Sequence, residues 1–287
     1  MIKNVLKALS AFCFMTVLGV HASMPKSQIW IAKESKAGFV VKPITGSDAY
    51  HNQPLLTRQG LFYTKELKSE SGAQTDLFFY NFANDKHSNI TNTPVSEYSP
   101  TIYPHDDGVS AIVVEPSGEQ KLWFYPNDKS VQPSRIFDHI EPVGYHVWGK
   151  NRDVMMFILG TPHTLQFTDI NGHLPKLIAK DIGRSLAYNR TADVYSFTYT
   201  ENNTHWFATY SEQLQSVKKH FVLPSKVRDY TWLDDETIAY AVGNRVFTRN
   251  FSAPKNVVLW KDLKDYCSAN ITRLSYNYKA LAFVCSE

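Results

Sequence analysis

The sequence predicts an all-β protein: a six-bladed β-propeller whose four-stranded blades close into one ring. Three observations lead to this fold class. A strand–turn–strand pattern recurs six times at intervals of about 44 residues, a spacing typical of propeller blades. Two further strands follow most of these pairs, and one unmatched pair precedes the first copy. The 16 Tyr, 17 Phe and 6 Trp, without any Pro- or Gly-rich linker, suit strands throughout the chain.

Each of the six copies consists of a short strand, a polar turn and a second apolar strand. The copies begin at Asn52, Tyr98, Tyr145, Ser185, Tyr230 and Ile271, and their centres are about 46, 45, 40, 44 and 42 residues apart. In a propeller these pairs are the inner strands of the blades, and the first strand of each pair lines the central channel.

The stretch SQIWIAKESKAGFVVKPIT, which begins at Ser27, contains two strands at 29–33 and 38–45 with no inner pair before them. The last inner pair, from Ile271, has no outer pair after it. We therefore expect the two to share the sixth blade, with the third strand resuming at Trp30. That arrangement closes the ring and removes open sheet edges.

Residues 1–22 have the pattern of a secretory signal peptide, with Lys3 and Lys7 before a short apolar run. The expected organisation is a leader at 1–22 and one propeller domain at 23–287. Without the leader, 28 basic residues face 27 acidic ones, which predicts no attraction to nucleic acid or anionic membrane. No other segment is apolar enough for a transmembrane span, so the protein is expected to be periplasmic or secreted.

Two cysteines, Cys267 and Cys285, remain after the leader. An even pair in an oxidising compartment favours a disulfide, which would brace the closing blade. Two buried free thiols are the alternative.

The segment EYSPTIYPHDDG, followed by SAIVVE and KLWFYP, resembles the repeat of the TolB-like, WD-repeat-like propellers of exported bacterial proteins. The resemblance extends through six degenerate copies, but only the copy at Tyr98 keeps both Ser99-Pro100 and Asp107-Gly108. It implies the propeller fold. The separate N-terminal domain of TolB is not expected, so the chain looks closer to the propeller-only members of the group, and a role in the Tol–Pal system is not carried over.

The usual signatures of serine hydrolases, zinc proteases and nucleotide-binding proteins are absent from the sequence. The residues at the entrance to each innermost strand should instead surround one mouth of the channel, where polar and aromatic groups suit a small polar ligand or a peptide end. These candidate binding residues are Asn52, Gln53, Glu97, Tyr98, Tyr145, His146, Arg184, Ser185, Asp229, Tyr230, Thr272 and Arg273, together with His163 in a loop expected on the same face. A channel that simply fills its wet interior with polar side chains would have the same composition.

Two functions remain open from the sequence. The first is a non-enzymatic binding or scaffolding protein of the cell envelope. It would be a monomer without a cofactor and would hold a small polar or anionic ligand or a partner peptide. The alternative is a lyase or hydrolase acting on a glycan or peptide, with His146, His163 and Arg184 at its centre. A divalent metal at the two histidines beside Glu97 or Asp229 would support the alternative.

Overall fold

The computed structural model describes residues 24–36, 38–69 and 72–286. The predicted leader, residues 1–22, lies outside the described residues. Within them, 24 strands form six separate four-stranded antiparallel sheets, as the repeat predicts. One short 3-10 helix, Pro104–Asp106, follows the first strand of blade 2. Among the described residues, no helix is long and apolar enough to cross a membrane.

The first three blades follow the order of the chain. Blade 1 consists of β3 (His51–Leu56), β4 (Gly60–Ser69), β5 (Gly72–Asn81) and β6 (Lys86–Asn89). Blade 2 consists of β7 (Ser96–Ile102), β8 (Gly108–Val114), β9 (Gln120–Pro126) and β10 (Ser134–Arg135). Blade 3 consists of β11 (Val143–Trp148), β12 (Val154–Ile158), β13 (Thr164–Thr168) and β14 (Lys176–Lys180).

The remaining blades complete the ring. Blade 4 consists of β15 (Ile182–Asn189), β16 (Val194–Glu201), β17 (Thr204–Ser211) and β18 (Ser216–Val222). Blade 5 consists of β19 (Tyr230–Trp232), β20 (Thr237–Val242), β21 (Arg245–Asn250) and β22 (Val257–Asp262). Blade 6 combines β23 (Asn270–Asn277) and β24 (Ala280–Ser286) with β1 (Ser27–Ser35) and β2 (Gly38–Pro43).

Blade 6 closes the ring in the predicted way. Strand β1 pairs antiparallel with β24, and Trp30 lies opposite Phe283. The disulfide between Cys267 and Cys285 ties the linker before β23 to the end of β24, with the two Cα atoms 5.6 Å apart. Both ends of the described chain are therefore held in one sheet.

The core lies between the blades. The second strand of a blade is covered on both faces by neighbouring blades, so β12 and β24 read as continuous apolar runs, VMMFI and ALAFV, and are almost wholly buried. Outermost strands face solvent on one side, and β22 exposes about half of Val257, Val258 and Leu259. Apolar burial between the sheets therefore fixes the ring and leaves the innermost strands around an open channel.

Candidate functional site

The channel contains a cavity of about 380 Å³ that is lined by the innermost strands of all six blades. Its wall comprises residues 53–56, 99–101, 145–147, 184–188, 229–232 and 273–277. Eight of the predicted binding residues belong to this wall: Gln53, Tyr145, His146, Arg184, Ser185, Asp229, Tyr230 and Arg273. The other five, Asn52, Glu97, Tyr98, His163 and Thr272, do not line it.

Charged side chains cluster at the end of the channel where the innermost strands begin. The Arg273 guanidinium, from blade 6, donates from Nη1 to Asp229 Oδ2 of blade 5 over 3.3 Å and from Nη2 to the Tyr145 hydroxyl of blade 3 over 2.8 Å. The bond to Tyr145 crosses the channel, because blades 3 and 6 are opposite each other in a six-membered ring. Arg273 also lies over the Tyr145 ring, with 5.0 Å between Cζ and the ring centroid.

Arg184 differs from Arg273 in its partners. Its Nη2 donates to the backbone carbonyl of Thr272 over 2.9 Å, and its buried Nε has no hydrogen-bond partner. Within the described parts of the chain, no carboxylate lies within 4.0 Å of this guanidinium. Burial, and then the like charge of Arg273, lower the pKa of Arg184, while Asp229 acts in the opposite direction.

Asp229 forms an ion pair with Arg273 and acts on Arg184 through longer-range electrostatics. Burial raises its pKa, and Arg273, Arg184 and a hydrogen bond from Ser185 counter that effect. The hydroxyl of Ser185 lies 3.4 Å from Asp229 Oδ1. Burial alone would lower the pKa of Arg273, but Tyr145 and Asp229 raise it. Two guanidiniums and one carboxylate leave this end of the channel with a net positive charge.

Tyr50 completes this cluster, and sequence reasoning missed it. Burial raises its pKa to about 12, and its hydroxyl interacts electrostatically with Arg273, Tyr145, Tyr98 and Arg184. Each blade thus contributes one side chain to a set that we call the channel ring: Tyr50, Tyr98, Tyr145, Arg184, Asp229 and Arg273. Tyr50 escaped detection because it stands just before β3, two residues ahead of the position that the repeat spacing assigns. Tyrosines at the entrances of blades 2 and 3 were the available signal.

Asn52 and Gln53 make hydrogen bonds within and between blades 1 and 2, and Gln53 also lines the cavity. Gln53 has a φ of 53°, and its amide N–H is capped by Asn52 Oδ1 over 2.8 Å. Gln53 Oε1 accepts hydrogen bonds from Ser99 N over 2.8 Å and Thr64 Oγ1 over 2.7 Å. The side-chain carbonyl of Gln53 therefore joins two blades.

Glu97 does not face the channel, contrary to the prediction. Its side chain is fully buried between blades 1 and 2, where Thr91, Thr93 and Tyr125 donate hydroxyl hydrogen bonds to its carboxylate. Burial raises its pKa to about 7 despite these donors. Because side chains alternate along a strand, Glu97 and its neighbour Tyr98 point to opposite faces, and Tyr98 packs against the core between blades 2 and 3.

His146 and His163 lie in different environments and do not act as the predicted pair. The His146 ring is buried, and its Nε2 lies 2.7 Å from Ser110 Oγ of blade 2. Burial lowers the pKa of His146 to about 3, so the ring is neutral. His163 is exposed, accepts a bond from the Gly160 N–H over 3.1 Å at Nδ1 and packs on Phe157. In the portion of the chain that is described, no group of three or more His, Cys, Asp or Glu residues is arranged to hold a metal ion.

The contact of His146 with Ser110 is part of a hydrogen-bond arrangement between blades that occurs twice among the described residues. Ser110 Oγ also accepts a hydrogen bond from Trp148 Nε1 over 2.8 Å. Two blades further along the ring the arrangement recurs. Ser196 Oγ of blade 4 accepts hydrogen bonds from Tyr230 OH and Trp232 Nε1 of blade 5, both over 2.9 Å. His146 and Tyr230 therefore occupy equivalent places: both belong to the cavity wall, and both contact a serine of the preceding blade.

Comparison with known proteins shows the fold. No protein-family model and no curated protein matches the chain. A putative TolB from Agrobacterium tumefaciens superposes on 92% of this chain and 99% of its own, with a TM-score of 0.71 and 11% identity. TolB from Acinetobacter baumannii superposes on 80% of this chain and 62% of its own, with a TM-score of 0.62 and 10% identity.

A third solved structure extends the comparison. The β-propeller domain of the trilobed protease from Pyrococcus furiosus, described as having an open velcro topology, superposes on 82% of this chain and 77% of its own, with a TM-score of 0.56 and 11% identity. Blade 6 of the present chain is closed by strands from both ends. At these identities the likeness concerns architecture, and on that basis this chain has the fold of the TolB-like six-bladed β-propellers.

Proposed function

We propose that the protein is an exported binding propeller that captures a carboxylate in its central channel. The carboxylate belongs to a small ligand or to the end of a partner segment. The observation that carries this proposal is Arg184, a guanidinium in the cavity wall whose described partner is one backbone carbonyl. Arg273, its neighbour, is already engaged by Asp229 and Tyr145.

Charge supports the proposal. A buried cation without a nearby anion is costly, so most such groups in proteins are paired. The single carboxylate of Asp229 compensates one of the two guanidiniums, and it lies against Arg273. An incoming carboxylate would restore neutrality, and the planar fork of Arg184 matches it in two parallel hydrogen bonds.

Shape supports a small group rather than a broad surface. The cavity of about 380 Å³ is within the range of small-molecule sites, and Tyr145 of blade 3 lies in its wall opposite Arg273 of blade 6. Phenol hydroxyls can donate further hydrogen bonds to an oxyanion. The Cys267–Cys285 disulfide is in keeping with an oxidising compartment outside the cytoplasm.

The test compares acetate with acetamide, which have the same size but differ in charge. We expect saturable shifts of backbone amide signals around the channel when acetate is titrated into the ¹⁵N-labelled protein, and no saturable shifts with acetamide. Replacement of Arg184 by Met keeps the volume of the side-chain stem and removes the charge, so acetate binding should be lost.

Arg58→Met is the matched control, because it removes an exposed arginine from the turn between β3 and β4. This variant should bind acetate like the unaltered protein. Equal shifts with acetamide, or unchanged acetate binding in Arg184→Met, would rule out the channel as a carboxylate site.

A further inference from the structure

A second cavity lies between blades 5 and 6, beside the channel. It has a volume of about 340 Å³ and is lined by residues 226, 228, 229, 241–243 and 270–274. We call it the inter-blade pocket. It shares Asp229, Arg273 and Leu274 with the channel wall, so the Asp229–Arg273 ion pair lies between the two cavities.

The wall of this pocket is basic. Lys226 and Arg228, in the linker that enters blade 5, are exposed at its rim, and no described carboxylate lies within 4.0 Å of either. Arg273 adds a third cation and Asp229 is the single acid among the lining residues. The pocket therefore carries a net charge of about +2, and Lys226 and Arg228 are not committed to an ion pair of the fold.

Two buried polar atoms in the same wall lack hydrogen-bond partners in the described structure. They are the hydroxyl oxygen of Thr272 and Nε of Arg273. The Thr272 backbone carbonyl accepts a hydrogen bond from Arg184, but the Thr272 hydroxyl has no hydrogen-bond partner in the described structure. Buried polar atoms of this kind are rare in folded proteins, and a bound ion or water is a common explanation.

We propose that the inter-blade pocket is a second anion site, specific for a tetrahedral phosphate group. Lys226 supplies a mobile point charge and Arg228 a two-pronged donor from the linker that enters blade 5, and Thr272 supplies a hydroxyl donor from β23 of blade 6. Donors from several directions suit the oxygens of a tetrahedral phosphate better than the plane of a carboxylate. The phosphate belongs to a soluble phosphate ester or to a lipid headgroup.

This site differs from the carboxylate site proposed for the channel in its exposed cations. Arg184 does not line the inter-blade pocket, and Lys226, Arg228 and Thr272 do not line the channel cavity. Because the two cavities share Asp229 and Arg273, variants at Lys226 and Arg228 are the ones that test the inter-blade pocket alone.

The test is a titration with inorganic phosphate, with chloride used to hold the ionic strength constant. We expect saturable binding to the unaltered protein and at least tenfold weaker binding to the double variant Lys226→Ala/Arg228→Ala, which corresponds to about 1.4 kcal/mol. Thr272→Val should also weaken binding several-fold while the melting temperature stays unchanged, because the hydroxyl has no protein partner to lose.

One control separates this site from general charge. Lys218→Ala/Lys255→Ala removes two exposed lysines from other parts of the surface and should bind phosphate normally. Arg184→Met removes the channel cation and a hydrogen bond to the Thr272 carbonyl, so it should weaken phosphate binding less than Lys226→Ala/Arg228→Ala does. Glycerol 3-phosphate and vesicles containing phosphatidylglycerol then distinguish a soluble ester from a lipid headgroup.

Four results would overturn the proposal. They are no saturable phosphate binding to the unaltered protein, unchanged binding in Lys226→Ala/Arg228→Ala, an equal loss in the two-lysine control, and a loss confined to Arg184→Met, which would move the phosphate into the channel.

Discussion

The two channel arginines should differ sharply in what they contribute to stability. Arg273 is about 10% exposed, donates to Asp229 and crosses the channel to Tyr145, whereas Arg184 donates to one backbone carbonyl. We predict that Arg273→Met destabilises the protein strongly and that Arg184→Met leaves its stability nearly unchanged. Methionine retains most of the stem volume in both variants and removes the charge.

The magnitude follows from what each variant leaves behind. Arg273→Met isolates the carboxylate of Asp229, whose side chain is 11% exposed, and removal of one partner from a buried pair costs about 3–5 kcal/mol. Arg184→Met loses a charged hydrogen bond of about 1.5–3 kcal/mol, but it also relieves the burial of a cation and its repulsion by Arg273. The net change should stay within about 1 kcal/mol.

The assay is urea unfolding, supported by melting temperatures. For a chain of this length 1 kcal/mol corresponds to about 2–4 °C, so Arg273→Met should melt about 6–20 °C below the unaltered protein. An equal and large fall for Arg184→Met would show that Arg184 is a structural residue, and the ligand-binding reasoning would then fail.

The pH dependence of Arg273→Met supplies a second check. Burial raises the pKa of Asp229 in the folded state, and removal of Arg273 should raise it further. The folded variant then keeps a proton that the unfolded chain has released, so its deficit is complete above the folded pKa of Asp229 and shrinks as the pH falls through it. A deficit independent of pH would contradict an isolated carboxylate.

Three further predictions concern the fold around the site. Burial raises the pKa of Glu97 from 4.5 to about 7. The protein should therefore lose about 3 kcal/mol of folding free energy as the pH rises through this window. Urea titrations of Glu97→Gln should lack that loss. The variant Cys267→Ser/Cys285→Ser opens a cross-link between residues 18 positions apart and should lose about 3 kcal/mol, with an unchanged melting temperature arguing against a bridge in the folded protein. Ser196→Ala leaves Tyr230 OH and Trp232 Nε1 of blade 5 without their acceptor and should lower the free energy of unfolding by about 2–4 kcal/mol in calorimetry. A loss below about 0.5 kcal/mol would show that these hydrogen bonds do not stabilise the contact between blades 4 and 5.

The fold was predictable because the ring imposes one pattern six times. A second strand covered on both faces must be a continuous apolar run, and the chain repeats such runs at nearly constant spacing. The unmatched outer pair at Trp30 and the unmatched inner pair at Ile271 then left one way to complete the sixth blade, which the structure confirms.

The channel ring was predictable in blades 3–6 and less so in blades 1 and 2. The register shifts in blade 3 before Tyr145, in blade 4 around Arg184 and in blade 6 before Arg273, but no residue at these shifts has a positive φ. In blades 1 and 2 the register shifts next to Gln53 and Ser99, which have φ values of 53° and 56°, so a position counted from the repeat no longer gives the face of the strand. A single sequence does not reveal such bulges, although both precede a proline.

The environment of His146 was also beyond the sequence. Its position at a strand entrance suggests a channel ligand, but its direction depends on Ser110, 36 residues away on the neighbouring blade. Contacts between blades arise from ring closure and are not encoded in local spacing.

The most direct test of the carboxylate site is a crystal structure of the protein soaked with 4-bromobenzoate, an unreactive carboxylate whose bromine is located by anomalous scattering. We expect one bromine peak in the channel cavity and a carboxylate with oxygens about 2.7–2.9 Å from the Arg184 guanidinium nitrogens, while Arg273 keeps its contacts with Asp229 and Tyr145. An Arg184 side chain turned onto a carboxylate of the protein itself, with no bromine in the channel, would contradict the proposed carboxylate site.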